Sequence, residues 1–140
     1  MIIQFKEIKK QIQKQWPELI WTLPTDTEYW TPTLNEIQNF INNNKQDIPY
    51  MKGVYECEEF SLGLLVDLRR SRAKKKLNEN KNHLNWAVGI ALIIKSTLLG
   101  NKVHYQNIAL TRDKGIILIE PQSNTLTDIN RVKELHFVLM

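Results

Sequence analysis

Cys57, the only cysteine of the chain, opens the stretch whose residue types could do chemistry. Apolar residues follow it at steps of three and four, which predicts one buried helical face: Phe60, Leu64, Leu65 and Leu68. A thiol in the first turn of a helix lies where unpaired backbone N–H groups and the helix dipole favour a thiolate. Such a thiol could be a nucleophile if a base were close to it. The alternative is a packing role, because free cysteines are usually buried and inert.

A base and a carboxylate occur on two predicted strands, Lys102 to Leu110 and Gly115 to Glu120. If the turn between them centres on Arg112, His104 lies directly opposite Glu120. Cross-strand partners have Cβ atoms about 4.5–5.5 Å apart, so the carboxylate could orient the imidazole. Together with Cys57 this order predicts a thiol, imidazole and carboxylate constellation. Taken separately, the two residues also fit a hydrogen-bonded sheet histidine and a strand-end charge.

The acidic residues after Cys57 favour the start of the helix but disfavour a thiolate at Cys57. Glu58 and Glu59 lie in the first helical turn, where carboxylates interact well with the dipole. Their charge also raises the pKa of the thiol unless a protonated His104 pairs with it. The backbone N–H of Cys57 is the expected oxyanion donor. The second donor stays open among three glutamines: Gln46, Gln106 and Gln122.

Three helices are predicted before the strands. The first runs from Ile2 to Gln15, the second follows the capping box of Thr33 and Glu36, and the third extends from Cys57 to about Leu77. Between the first two lies a short irregular segment with three tryptophans: Trp16, Trp21 and Trp30. We expect this segment to lie across the core, the alternative being a platform for a sugar or a peptide.

The second half of the chain reads as strands, with 86–94 and 136–140 added to the two named above. Helices followed by strands predict an α+β fold in which an antiparallel sheet packs on the cysteine helix. With 140 residues the chain should form a single domain, 1–140. Within it we separate an N-terminal helix and tryptophan-rich segment, 1–27, from the remainder, 28–140.

Composition narrows the classes of protein and partner. A single cysteine excludes an internal disulfide framework, and no apolar run approaches the roughly 20 residues of a membrane span. Because the first residues do not read as a signal peptide, we expect a cytoplasmic protein without membrane association. The run from Arg69 to Lys76 complements a helix C-terminus, and it lacks the interleaved aromatics that nucleic-acid binding would favour. The oligomeric state stays open.

Five blocks of the chain resemble a papain-like cysteine protease group. They are Tyr29–Thr33, Tyr55–Ser61, Asn85–Gly89, His104–Ile108 and Ile117–Gln122. The group includes the C-terminal protease domain of a mushroom agglutinin and many small bacterial and phage proteins. The resemblance begins at about Glu28 and leaves the first helix outside it. The lectin domain of the agglutinin has no counterpart in this sequence.

The resemblance implies a papain-like fold with Cys57 as nucleophile, His104 as general base and acid, and Glu120 as orienting carboxylate. This chain departs from the group's pattern at Ser61, which replaces an alanine, and by lacking a glycine before His104. Three further residues are candidates for substrate contact: Trp30, Asn107 and Gln122. Asn107 and Gln122 equally fit a structural role, bonding the backbone where strands end.

The implied function is cysteine-dependent hydrolysis of a peptide or amide, or acyl transfer, through a thioester intermediate. Its partner would be a peptide or protein substrate. We assign no cofactor and no metal site, because the agglutinin's metal ligands have no match here, although a divalent-cation requirement stays open. The alternative is a catalytically inactive, papain-shaped binding protein, such as a phage factor that holds a host protein.

Overall fold

A six-stranded sheet separates two layers of helices in the computed structural model, which describes residues 1–44, 47–79 and 83–140. The helices of these residues are Phe5–Gln15 (α1), Leu34–Asn43 (α2) and Cys57–Glu79 (α3). The strands are Ile2–Gln4 (β1), Trp21–Leu23 (β2), Glu28–Trp30 (β3), Val88–Thr97 (β4), Gly100–Thr111 (β5), Gly115–Glu120 (β6), Thr125–Thr127 (β7) and Val132–Leu139 (β8). A 3-10 turn, Ile129–Arg131, precedes β8. The predicted α+β class is confirmed.

The helices lie close to their predicted bounds. The capping box before α2 is formed, because Thr33 Oγ1 accepts from the Glu36 N–H at 3.1 Å and Glu36 Oε2 accepts from the Thr33 N–H at 2.7 Å. The cysteine helix begins at Cys57 as predicted and ends two residues beyond Leu77. The first helix begins only at Phe5, because Ile2–Gln4 pair with Glu28–Trp30 as two antiparallel strands. Long-range pairing here overrides the helical periodicity.

The strand order of the main sheet is β2-β8-β4-β5-β6-β7. Its neighbours are antiparallel except at one edge, where β2 runs parallel to β8. The prediction of an antiparallel sheet is therefore wrong at this edge. The reason is that the segment read as irregular, around Trp21, adds its backbone to the last strand.

Each face of the sheet has its own hydrophobic cluster, because alternate strand residues point to opposite faces. One cluster joins Ile8 and Ile12 of α1 to strand residues such as Ile108 and Leu118. The other joins α2 and α3 to strand residues such as Ala109. The cysteine helix and the first helix thus lie on opposite sides of β5.

Gly89 lets β8 approach β4 closely. A Cβ atom at this position would lie 2.1 Å from the carbonyl oxygen of Leu139 and 2.7 Å from Cγ of Met140. A side chain here would therefore displace β8, the strand with which β2 pairs.

Among the described residues, no helix has both the length and the apolar composition needed to cross a membrane.

Candidate functional site

Cys57 is the first residue of α3, as predicted. The start of the helix is fixed by Glu59, whose Oε2 accepts from the Glu56 N–H at 2.8 Å. Before it, Met51 and Tyr55 form an isolated bridge, and the ring of Tyr55 contacts that of Phe60 edge-on at 4.7 Å between centroids. The thiol is therefore held on an ordered helix start and is half-buried.

The thiol of Cys57 is hydrogen-bonded to a carboxylate. Its Sγ donates to Oε2 of Glu58 at 3.3 Å. Burial raises the pKa of the thiol, and the carboxylate of Glu58 raises it further, while the backbone N–H groups of Tyr105 and Glu58 act in the opposite direction without prevailing. Since reactive cysteines have a lowered pKa, this environment keeps the thiol neutral at pH 7.

His104 and Glu120 are in contact, as the sequence predicts. His104 Nε2 lies 2.5 Å from Oε2 of Glu120, and Gln106 Nε2 donates to the same oxygen at 2.8 Å. Burial alone would raise the pKa of Glu120, but the hydrogen bonds from His104 and Gln106 outweigh it, so this pKa lies below its ordinary value. Glu120 is therefore ionised at neutral pH.

The register that produces this contact differs from the predicted one. Thr111 pairs with Gly115 and Asn107 with Ile119, so the turn centres on Asp113 and not on Arg112. Continued by one residue, this register places Glu120 opposite Gln106, and His104 reaches it diagonally. A shift of two residues keeps both side chains on one face of the sheet, which is why the contact survives.

The structure does not join the thiol to the imidazole. Within residues 1–44, 47–79 and 83–140, the Cys57 sulfur makes no hydrogen bond to a ring nitrogen of His104. Its contact with β5 is the backbone N–H of Tyr105, the residue after His104. The thiol and the imidazole thus have separate carboxylate partners, and the catalytic roles proposed for Cys57, His104 and Glu120 stay predictions.

The other candidate residues are dispersed. Asn107 is fully buried, and its Nδ2 donates to the carbonyl oxygens of Ser61 at 3.0 Å and Gly89 at 3.2 Å. Trp30 is half-buried against the cluster beneath α2 and α3. Gln122 is exposed, with its backbone N–H 3.4 Å from Oε1 of Glu120. Gln46 lies outside the described residues.

An aromatic and apolar row crosses the uncovered part of the sheet, and the sequence reading missed it. Trp21 pairs with Phe137, Phe137 with Leu92, and Leu92 with Tyr105, so the four side chains share one sheet face. We call these four residues the Trp21 row. It ends beside Cys57 at Tyr105 and at the sheet edge at Trp21, whose side chain is 69% exposed.

The three tryptophans of the irregular segment have different environments. Trp16 is only 3% exposed and belongs to the core, as expected, whereas Trp21 faces outwards. The available signal was the strand-like alternation of Trp21, Thr22 and Leu23. The outward direction of the Trp21 side chain depends on the pairing of β2 with β8, which cannot be read from the sequence.

No group of three or more histidine, cysteine, aspartate or glutamate side chains is placed to hold a metal ion in the described part of the chain.

Neither a protein-family model nor a curated protein matches this chain. Two solved structures match over 99% of it: the PSL1a-E64 complex, at 18% identity and a TM-score of 0.70, and Polyporus squamosus lectin bound to a human-type influenza-binding epitope, at 17% identity and a TM-score of 0.72. The chain spans about half of each, 51% and 49%. At this identity the likeness shows the fold, and it extends across the first helix.

The assignment to a papain-like cysteine protease family is wrong on these comparisons. The two structures named above are a lectin, named with its glycan, and PSL1a, so the link to a mushroom lectin is confirmed and the protease link is not. The predicted function, cysteine-dependent hydrolysis of a peptide substrate by thiol-protease chemistry, is wrong on the same ground. The neutral, Glu58-bound thiol agrees with this correction.

Proposed function

We propose that this chain is a non-catalytic binding module and that its ligand is a glycan. The observation that carries the proposal is Trp21, which is 69% exposed at the end of the Trp21 row. Tryptophan is enriched at binding interfaces, because it combines a large apolar ring with a polar N–H. The flat apolar face of a sugar ring packs well on an indole, whose N–H remains available to a hydroxyl group.

Polar groups suited to sugar hydroxyls flank this row. Glu134 Oε2 lies 2.8 Å from His136 Nε2, and both side chains are exposed on β8 beside Phe137. A carboxylate accepts from hydroxyl groups, and the imidazole can donate or accept. A few such groups beside an apolar surface orient a ligand.

The protonation of Cys57 supports binding without catalysis. A thiol that donates to Glu58 and has a raised pKa is a poor nucleophile at neutral pH. The likeness to a lectin also supports a glycan ligand. Because the chain spans about half of that lectin, the proposal depends chiefly on this chain's own surface.

The test is an array of defined glycans, including the trisaccharide named with the lectin, followed by calorimetry on the best ligand. Trp21→Ala should weaken binding by more than about tenfold, as expected for an aromatic hot spot. Leu126→Ala is the matched control, because Leu126 is an exposed apolar residue on the opposite sheet edge, and it should bind like the wild type.

Cys57→Ala separates binding from catalysis and should leave the affinity unchanged. Failure of every glycan to bind would contradict the proposal. So would hydrolysis of an arrayed glycan, or of a peptide library, that the wild type performs and Cys57→Ala does not.

A further inference from the structure

The second half of α3 borders a cavity that lies away from the Trp21 row. It has a volume of about 320 Å³ and is bordered by α2, α3 and Trp86. Polar side chains from both helices line it, one of them a carboxylate: Glu36, Asn39, Asn43, Asn44, Ser71, Arg72 and Lys75. This volume falls within the range of small-molecule sites, which combine an apolar floor with a few convergent polar groups.

Arg72 is a partly buried cation at this cavity. Its guanidinium carbon lies 5.5 Å from the centre of the Trp86 ring, Nε donates to the Leu84 carbonyl oxygen at 3.2 Å, and Nη2 lies 3.3 Å from His83 Nδ1. In the ranges that the structure describes, Arg72 has no salt bridge with a carboxylate. The pKa of Arg72 is lowered, chiefly by burial, yet a guanidinium stays charged at neutral pH.

Two carboxylates act on Arg72 through their charge, Glu36 at the cavity and Glu79 at the end of α3, and the described contacts of both are with other residues. Glu36 Oε2 accepts from Thr33 and lies 3.6 Å from Arg112 Nη2. Glu79 Oε2 lies 2.8 Å from Nε2 of His83. A half-buried positive charge without an ion-pair partner is unfavourable, and an anion in the cavity would compensate it.

Apart from the carboxylate of Glu36, the lining offers further groups that suit an anion. Lys75 is three residues after Arg72, so the two cations project from neighbouring positions on α3. The Asn43 amide donates to the Asn39 carbonyl oxygen at 2.8 Å, which satisfies part of the electronegative end of α2. Ser71 adds a hydroxyl donor on the same side of the cavity.

We propose that this cavity binds a small molecule through a phosphate or carboxylate group, with Arg72 and Lys75 as its cationic contacts. The site is independent of the Trp21 row. It gives a function to the basic half of α3, which glycan binding at the sheet edge leaves unused.

The experiment is a titration followed by ¹H–¹⁵N NMR of the arginine Nε–H and tryptophan indole signals. The probes are inorganic phosphate and acetate, each at constant ionic strength with chloride as reference. Assignment uses Arg72→Gln and Trp86→Phe. A saturable shift of the Arg72 signal with either probe supports the site, and the probe with the lower dissociation constant identifies the preferred group.

Two variants with a matched control locate the contacts. Lys75→Gln should raise the dissociation constant about two- to fivefold, as for one exposed charge pair, whereas Lys76→Gln on the same helix should leave it unchanged. Arg72→Gln should raise it more than about tenfold, read from the Trp86 indole signal. Non-saturating shifts that parallel chloride, or equal effects of Lys75→Gln and Lys76→Gln, would overturn the proposal.

Discussion

Glu58 and Glu120 are two carboxylates that each lie beside an ionisable side chain. Beside Glu58 the pKa of the partner rises, whereas at Glu120 the pKa of the carboxylate itself falls. Glu58 accepts from the Cys57 thiol and raises the pKa of that thiol, which keeps the pair as thiol and carboxylate. Glu120 receives hydrogen bonds from His104 and Gln106, and its own pKa falls. In the first pair the carboxylate disfavours loss of the partner's proton, and in the second the two donors favour the ionised form of the carboxylate itself.

This comparison also bears on the predicted catalytic roles of Cys57 and His104. A nucleophile needs its base within hydrogen-bond reach and its proton removed. Here the thiol is satisfied by Glu58 and the imidazole by Glu120, so each carboxylate stabilises its own partner. The first pair lies on α3, whereas the second joins β5 to β6, and their hydrogen bonds are separate.

The largest expected effect is at the Glu120 cluster. Glu120→Ala removes the acceptor of His104 and Gln106, both buried, and should lower the free energy of unfolding by about 1–3 kcal/mol at pH 7. Urea denaturation measures this change. Glu134→Ala is the control, since Glu134 also contacts a histidine but the pair is exposed, and its effect should stay within about 0.5 kcal/mol. Equal losses in both variants would show that burial does not distinguish the two pairs.

The second prediction concerns pH. Because the pKa of Glu120 is lower in the folded protein than in the unfolded chain, its ionised form stabilises the fold above the unfolded-state pKa. This stabilisation is lost as the pH falls through the folded-state pKa, which lies below the ordinary glutamate value of about 4.3. The stability difference between wild type and Glu120→Gln should therefore shrink between neutral pH and about pH 3. A constant difference over this range would show that the charge of Glu120 does not account for the stabilisation.

The smallest expected effect is at the thiol. Glu58→Gln removes the charge beside Cys57, so the pKa of the thiol should fall and alkylation by iodoacetamide at neutral pH should accelerate about two- to fivefold. Glu59→Gln is the matched control, because Glu59 lies in the same helical turn and bonds Glu56 instead of the thiol. If both variants accelerate alkylation equally, the hydrogen bond to Glu58 has no special part in thiol protonation.

Local patterns in the sequence predicted much of the fold. The capping box at Thr33, the start of α3 at Cys57 and the extent of β6 are confirmed, because short-range periodicity and caps determine them. The contact of His104 with Glu120 could also be predicted, since a hairpin brings together residues that are close in the sequence. Its register was misplaced because the turn centre was.

The features that require distant pairing could not be predicted. The exposure of Trp21 depends on parallel pairing with Phe137, and the Arg72 cavity depends on how α2 packs beside α3. The protonation of Cys57 was left open between two outcomes. It is decided by which partner the thiol contacts, which the order of residues does not specify.

The parallel pairing of β2 with β8 has a consequence for how the protein opens. Trp21 and Phe137 come from distant parts of the chain, so their pairing carries a high cost of loop closure. The pairing also depends on β8 docking against Gly89, where only hydrogen fits beneath the Leu139 carbonyl oxygen. A molecule whose edge strand β2 detaches from β8 would keep the other strand pairings and lose the surface that carries Trp21. Binding at that surface would then report a local opening equilibrium that global unfolding does not reveal.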